Sequence, residues 1–285
     1  MPKPYPHHVP KIVFITGATG DFGKAFAQRF SALGSKLILA GRDLKKLNAM
    51  AKKFPGAQTL AFDMTDKRGM EKAVRGLPKK FQDIDLLINN AGLALGLDMA
   101  PSADIDDWET MIAVNNTGLV RLTRLVLPFM TKRKSGHIIN IGSTAGTYAY
   151  PGGNVYGATK AFVKQFSLNL RADLQGTNIR VTNIEPGMVE TQFSTVRFKG
   201  DKTKAAAVYA NTKPLTPQDV AESAVWAATL PPHFNVNRLE IMPTAQSFGP
   251  LAVERVEVVR AQRGVAIRPA QHGAVRGLQR EAHAV

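Results

Sequence analysis

The chain has 285 residues, of which 44% are hydrophobic, and this composition excludes a disordered protein and allows one large globular domain. It contains no cysteine, which excludes disulfides, thiolate nucleophiles and cysteine-ligated metals or iron–sulfur clusters. The formal net charge is +15, but the basic residues are spread along the chain. Runs such as KRK at 132–134 contain no interleaved aromatic residues, so a solvated basic surface is favoured over a nucleic-acid site.

The first ten residues, MPKPYPHHVP, are polar and proline-rich, which predicts a flexible segment at 1–10 rather than a signal peptide. No apolar run approaches the roughly 20 residues that cross a bilayer. We therefore expect a cytoplasmic protein without a membrane partner.

In chain order, short apolar runs predict strands at seven places: 11–16, 36–40, 59–63, 85–90, 137–143, 179–187 and 238–243. Helical spacing between them predicts helices over 25–34, 44–53, 66–76, 105–131 with a bend near Pro128, and a helix that contains Tyr156 and runs towards Leu174. This alternation predicts one α/β domain over 11–250, doubly wound, with a mostly seven-stranded parallel sheet.

The periodicity weakens after residue 187, and 188–215 is predicted to be a substrate loop. After residue 250 it fades again. The run VERVEVVRAQRG (253–264) is a candidate short helix, and 251–285 as a whole reads as a flexible basic tail. Residues 256–285 hold five arginines against two glutamates, so nucleic-acid binding by the tail stays a less favoured alternative.

The run TGATGDFG (16–23) lies between the first strand and the first helix. Gly17, Gly20 and Gly23 permit a tight turn and a close backbone approach, and the free N–H groups of the helix N-terminus suit a pyrophosphate. A Rossmann-type dinucleotide site is therefore predicted, although the G-x-x-G-x-x-G spacing differs from the usual G-x-G-x-x-G. Asp21 is an acid beside this anion site, and a solvent-facing or capping role for it stays open.

The second strand ends in Gly41, Arg42 and Asp43, whereas NAD sites commonly have an acid at the end of this strand. Because the Arg42 guanidinium can pair with a 2′-phosphate, NADP is favoured and NAD stays possible. Asp43 has two possible partners, Arg42 or a ribose hydroxyl.

Tyr156 and Lys160 are four residues apart and share a helix face. A nearby ammonium lowers the pKa of a phenol, which can then exchange a proton with an alcohol or carbonyl oxygen. Ser143 ends the fifth strand, and its hydroxyl could orient that oxygen. Taken alone, this spacing is also typical of an ordinary helix surface.

TGATGDFG, NNAG (89–92), Asn115, Ser143, the Tyr156/Lys160 pair and PG (186–187), in this order, resemble the short-chain dehydrogenase/reductase family over about 11–250. The resemblance implies that Tyr156 is the general acid in carbonyl reduction and that Ser143 stabilises the carbonyl oxygen. Lys160 would bind the nicotinamide ribose and lower the pKa of Tyr156, and Asn115 would hold a proton-relay water. The implied cofactor contacts are Gly17, Thr19, Gly20, Asp21, Phe22, Gly23, Arg42, Asp43, Asp63, Asn90, Tyr156, Lys160, Pro186, Gly187, Val189 and Thr191.

Longer runs, among them NNAGLALG (89–96) and FSTVRFKGD (193–201), are similar to bacterial NADP-dependent 3-hydroxy acid dehydrogenases of this family. That similarity implies reversible hydride transfer to and from serine, allo-threonine or 3-hydroxypropionate/malonic semialdehyde, in a homotetramer without a metal. The chain departs from it at Arg42-Asp43, where the relatives have two arginines, and in its tail.

Such a substrate carries a carboxylate, so Ser143 and Tyr156 would bind its hydroxyl and Arg197 its carboxylate, with Lys199 behind Arg197. An outward-facing Arg197 is the alternative. Two other functions stay open: reduction of another carbonyl compound, such as a 3-oxoacyl thioester or a ketone, and a catalytically silent nucleotide-binding regulator.

Overall fold

Seven parallel strands form the central sheet of the computed structural model, which describes residues 7–248, 257–260 and 265–268. The strands are β1 (Ile12–Thr16), β2 (Lys36–Gly41), β3 (Gln58–Ala61), β4 (Leu86–Asn89), β5 (Gly136–Ile141), β6 (Ile179–Pro186) and β7 (Arg238–Ile241). Their order is β3-β2-β1-β4-β5-β6-β7, which confirms the predicted doubly wound, Rossmann-type α/β domain. The chain reverses direction across the sheet between β1 and β4, so a crevice opens there at the carboxyl ends of the strands.

Nine α-helices accompany the sheet in the described residues. They are α1 (Asp21–Ala32), α2 (Leu44–Ala51), α3 (Lys67–Arg75), α4 (Ile105–Ile112), α5 (Leu119–Arg133), α6 (Asn154–Asp173), α7 (Phe193–Arg197), α8 (Lys202–Ala207) and α9 (Pro217–Thr229). None of the helices in the described residues is long and apolar enough to cross a membrane.

The helices cover both faces of the sheet and bury two apolar layers. Helices α1, α2 and α9 share one layer with Val13 and Ile15 of β1, whereas α3, α5 and α6 share the other with Phe14. Successive residues of β1 thus point to opposite layers, and all three are fully buried. This is why the strands read as continuous apolar runs in the sequence.

The predicted helix over 105–131 is three segments. A π-helical segment, Ala113–Gly118, separates α4 from α5, and α5 continues through Pro128 to Arg133. The irregularity therefore lies 10 or more residues before the predicted bend. Long-range hydrogen bonds accompany it: the side chains of Asn115 and Asn116 bond to Leu93 and Thr159 rather than to solvent.

Helix α9 was not predicted, although its start carries a clear signal. Thr216 accepts a hydrogen bond from the Asp219 backbone and the Asp219 side chain accepts one in return, with Pro217 at the first helical position.

In the tail, β8 (Glu257–Arg260) pairs with β9 (Val265–Arg268) as an antiparallel ladder, so the helix predicted over 253–264 is wrong at 257–260. The remaining tail predictions, and residues 1–6 of the N-terminal segment, lie outside the described residues.

Candidate active site

A cavity of about 510 Å³ opens at the carboxyl ends of β1, β2, β4, β5 and β6. Most of the residues predicted for the site line it. They are Gly17, Thr19, Gly20, Asp21, Phe22, Arg42, Asp63, Asn90, Ser143, Tyr156, Lys160, Pro186, Gly187, Val189, Thr191 and Arg197. Gly23, Asp43 and Asn115 do not line it.

The β1–α1 loop is shaped by its glycines. Gly17 has φ +60°, a left-handed conformation that strains other residues. Gly20 precedes α1 without a side-chain capping bond, so the first N–H groups of this helix are available to an anion. A Cβ on Gly23 would lie 2.6 Å from the Ala18 Cα, so the absence of a side chain at Gly23 lets α1 pack closely against the loop.

Asn90 holds this loop against β4. Its Nδ2 donates to the Thr16 carbonyl oxygen at 2.8 Å, while the Thr16 Oγ1 accepts from the backbone N–H groups of Asn90 and Ala91. The two loops at the switch point are thus joined by a reciprocal pair of side chains. Thr16 was not predicted as a site residue, although it opens the TGATGDFG motif.

Arg42 and Asp63 form the far end of the cavity. The Arg42 side chain is 75% exposed, and its Nη1 lies 3.9 Å from an Asp63 carboxylate oxygen. Burial raises the pKa of Asp63, but the hydrogen bonds from Thr65 and the charge of Arg42 outweigh it and lower that pKa. Asp43 does not line the cavity, and its side chain caps α2 by accepting from the Lys46 N–H.

Tyr156 is 8% exposed and lies in the first turn of α6, facing Ser143, which lies two residues after the end of β5. Burial raises the pKa of the Tyr156 phenol and Tyr150 raises it further, while the hydrogen bond with Ser143 and the cation of Arg197 lower it. Both lowering groups come from outside α6. The phenol is therefore protonated at neutral pH and ready to donate a proton.

Lys160 is buried one turn further along α6. Its Nζ donates to the Ile141 carbonyl oxygen at 2.8 Å and lies 5.8 Å from the centre of the Tyr156 ring. Burial lowers the pKa of Lys160 to about 8. The predicted lowering of the Tyr156 pKa by Lys160 is not found, because Ser143 and Arg197 are the groups that lower it.

Asn115 sits behind the cavity wall. It is 2% exposed, accepts from the Leu93 N–H and donates to the Leu93 carbonyl oxygen and to Thr159 Oγ1. A Cβ on Gly92 would come within 3.2 Å of Asn115 Oδ1 and 3.6 Å of Lys160 Nζ, so the amide and the ammonium flank the same glycine. The predicted relay water between them stays a prediction.

Arg197 also lies close to the Tyr156 ring. Its guanidinium carbon lies 5.6 Å from the centre of the Tyr156 ring and 5.4 Å from that of Tyr150. Its Nη2 donates to the Tyr150 hydroxyl at 2.9 Å and its Nε to the Gly96 carbonyl oxygen. Lys199, in contrast, pairs with Asp104 and Asp107 and is not behind Arg197 in the cavity.

The cavity fits a dinucleotide by its own construction. It runs from a cation at the end of β2, past a helix N-terminus with uncapped N–H groups, to a buried phenol and ammonium. In the wall of the cavity, Gly187 packs closely against Met242: a Cβ on Gly187 would lie 2.7 Å from Met242 Cγ. The position therefore has no room for a side chain. No group of three or more potential metal ligands occurs among the residues with described positions.

The family model for short chain dehydrogenases matches residues 11–202. The chain belongs to the short-chain dehydrogenase family. It is 54% identical over 246 residues to an NADP-dependent 3-hydroxy acid dehydrogenase of Salmonella typhi, covering 86% of this chain and 99% of that one. It is 48% identical over 244 residues to a serine 3-dehydrogenase of Rhizobium radiobacter, covering 85% and 98%.

Among solved structures, the closed form of a serine dehydrogenase complexed with NADP+ superposes with a TM-score of 0.82. It shares 53% sequence identity, and the match covers 86% of this chain and 99% of that chain. A serine dehydrogenase from Escherichia coli matches with a TM-score of 0.73 and 47% identity, covering 83% and 100%. The family resemblance and the fold expected from it are thus confirmed.

In this short-chain dehydrogenase, the structure adds cavity residues that sequence motifs did not indicate. Tyr150 and Phe193 both contact the ring or cation beside the reacting position, and Gln246 accepts from the Met188 N–H at the cavity wall. Phe193 opens the run FSTVRFKGD, but Tyr150 and Gln246 have no characteristic spacing to a recognised motif. The fold brings Phe193 to Tyr156 and Tyr150 to Arg197.

Proposed function

We propose that the protein transfers hydride reversibly between NADP and the 3-hydroxy group of short 3-hydroxy acids, such as serine, allo-threonine and 3-hydroxypropionate, the last forming malonic semialdehyde. The relatives named above support this substrate class. The observation that carries it is the position of the Arg197 guanidinium, 5.6 Å from the centre of the ring whose hydroxyl would exchange the proton. In a short 3-hydroxy acid the carboxylate lies close to the reacting carbon, and a guanidinium at this position can pair with it.

NADP supplies the hydride chemistry at its nicotinamide ring. Arg42 would pair with the 2′-phosphate and the start of α1 with the pyrophosphate. Asp63 and Asn90 would lie along the adenine and ribose part, and Lys160 on the nicotinamide ribose. Pro186, Gly187, Val189 and Thr191 would border the nicotinamide end.

In the reducing direction, the carbonyl carbon would gain the hydride that NADPH supplies, and the Tyr156 hydroxyl would give its proton to the carbonyl oxygen. The phenolate that remains would then take up a proton from solvent. In the oxidising direction, the phenolate takes the proton of the alcohol. Ser143 orients the oxygen in both directions. Because burial opposes the phenolate, the hydrogen bond with Ser143 and the cation of Arg197 beside the ring favour its transient formation.

Arg197 is the cation best placed for the substrate. Among the described residues that line the cavity, the cations are Arg42, Lys160 and Arg197. Arg42 is at the far end beside Asp63, and Lys160 is committed to the Ile141 carbonyl oxygen. Tyr150 and Gly96 hold two of the guanidinium nitrogens of Arg197 and leave Nη1 for a carboxylate.

The direct test follows the absorbance of the reduced cofactor with NADP and NAD in parallel. Matched substrates are 3-hydroxypropionate, its uncharged amide and simple alcohols, with L-serine and L-allo-threonine beside them. We expect turnover with NADP, preference for the acid over the amide, and a kcat about a thousandfold lower in Tyr156→Phe. Activity only on ketones or thioesters would reject the substrate class and keep the catalytic group. Nucleotide binding without turnover would instead support the regulator.

The cytoplasmic location and the homotetramer belong to this proposal as well. Apolar side chains stand exposed on two helices, Phe162 and Leu168 on α6 and Trp226 on α9, and covering them in an oligomer would remove apolar surface from water. Light scattering of the purified protein would show a mass of four chains. A monomeric mass would reject this part.

A further inference from the structure

Asp21 brings a carboxylate to the start of α1, the place that would receive a pyrophosphate. Its side chain is 24% exposed and lines the cavity. The Nζ of Lys24, on the same helix, lies 3.3 Å from Asp21 Oδ1. Because like charges repel, direct contact between this carboxylate and a phosphate is unfavourable, so its side chain serves another purpose.

The second carboxylate oxygen of Asp21 makes a long-range hydrogen bond. Asp21 Oδ2 accepts a hydrogen bond of 2.8 Å from the backbone N–H of Gln192, which is 171 residues later and immediately precedes α7. Gln192 itself gives α7 no side-chain capping bond. The next N–H, that of Phe193, donates to Thr191 Oγ1 at 3.1 Å. The start of α7 is thus held by Asp21 from the cofactor loop and by Thr191 from its own segment.

The position of α7 decides what surrounds the catalytic phenol. Phe193, its first residue, packs its ring 5.7 Å from the ring of Tyr156. Arg197, its last residue, lies over the same ring and bonds to Tyr150 and Gly96. A helix of only five residues has little stability of its own, so external bonds at both ends keep it in place.

We propose that Asp21 is a positioning residue that couples the cofactor loop to the substrate segment, by anchoring the start of α7 and so holding Phe193 and Arg197 against Tyr156. The anchoring needs a hydrogen-bond acceptor at Oδ2, not a negative charge. The charge itself opposes a pyrophosphate at the neighbouring helix N-terminus. Two substitutions therefore separate the bond from the charge.

Asp21→Asn keeps an acceptor oxygen and removes the charge, whereas Asp21→Ala removes both. Asp66→Ala is the matched control, because Asp66 also accepts from a backbone N–H at a helix start, that of α3, but lies outside the cavity. Three quantities are measured for each variant: hydrogen exchange of peptides over 188–200, the Kd for NADP without substrate, and KM and kcat for 3-hydroxypropionate.

In Asp21→Ala we expect faster exchange at the start of α7 and a KM raised about tenfold, with a smaller change in kcat. Asp21→Asn should restore the exchange protection and bring KM back to within about twofold of the original value. Both Asp21 variants should bind NADP more tightly, by about threefold, because a negative charge is gone. Asp66→Ala should change none of the three.

Unchanged exchange and KM in Asp21→Ala would overturn the proposal. So would an Asp21→Asn variant that behaves like Asp21→Ala, since the charge rather than the bond would then be responsible. The KM readout rests on the proposed function, but hydrogen exchange and NADP binding do not. If 3-hydroxypropionate proves not to be a substrate, these two measurements still decide the role of Asp21.

Discussion

The two ends of the cavity are built from different parts of the polypeptide. The cofactor end is made mostly of backbone: a left-handed Gly17, an uncapped helix start after Gly20, and Gly23 packed under the loop. The substrate end is made of long side chains, above all Arg197 and Tyr150, from segments 47 residues apart. A site made of backbone depends on glycines at fixed spacing, and such spacing can be recognised in a sequence. A site made of side chains depends on how distant segments meet, which a sequence does not show directly.

The largest effect is expected where the two ends join, at Tyr156. Tyr156→Phe keeps the ring packed on Phe193 but removes the hydroxyl proposed to exchange the proton. We expect kcat to fall by about a thousandfold, because a positioned general acid contributes about a hundredfold to ten-thousandfold. The Kd for NADP should stay unchanged, as measured by calorimetry. A variant that retained a tenth of the activity would show that another group delivers the proton.

The cofactor end is tested through its packing, with Gly23→Ala. The added Cβ would press on the Gly17 carbonyl oxygen and lie 2.6 Å from the Ala18 Cα, and backbone atoms cannot move aside easily. We expect a loss of about 3 kcal/mol in the free energy of unfolding, together with weaker NADP binding. Gly41→Ala is the control, because its nearest neighbour, a Leu47 methyl, would be 3.7 Å away. Equal stability of the two variants would contradict the packing role of Gly23.

The substrate end is tested with Arg197→Ala. Loss of a charge-assisted pair with the carboxylate should raise KM for 3-hydroxypropionate by about thirtyfold. KM for the uncharged amide should hardly change, so the preference for the acid should disappear, while the Kd for NADP stays the same. A preference for the acid that survives this substitution would mean that the carboxylate is bound elsewhere.

Lys160 borders both ends, and its burial makes a pH prediction. Burial lowers its pKa to about 8 from 10.5, so between these values the unfolded chain binds more protons than the folded one. The free energy of unfolding should therefore rise with pH in this window, by about 1 kcal/mol from this residue between about pH 8 and pH 9. Below that window its unfavourable contribution is constant. Urea unfolding of Lys160→Met should lack this part of the rise; identical slopes in both proteins would show that Lys160 is not desolvated.

The contrast between a backbone-made cofactor end and a side-chain-made substrate end also explains what could be predicted from the sequence. The alternation of strands and helices, the phosphate loop and the Tyr156/Lys160 pair are local patterns, and the structure brings them together at one edge of the sheet. The π-helical segment at Ala113–Gly118 was missed because the hydrogen bonds that accompany it, from Asn115 to Leu93 and Thr159, span 22 and 44 residues. The helix cap that Asp43 forms was also missed, because its position beside Arg42 gives no sign of the cap.

The smallest expected effect concerns Arg42, because its side chain is 75% exposed and water screens its charge. Arg42→Ala should weaken NADP binding by about fivefold and leave NAD binding unchanged, so the preference between the cofactors shrinks. Arg42→Lys should lose part of the preference, since an ammonium keeps the charge but not the two-pronged pairing. The effect should also diminish at high salt. If NADP is still preferred to the same degree in Arg42→Ala, the 2′-phosphate is recognised by backbone groups near the end of β2, and the cofactor end is then built from backbone along its whole length.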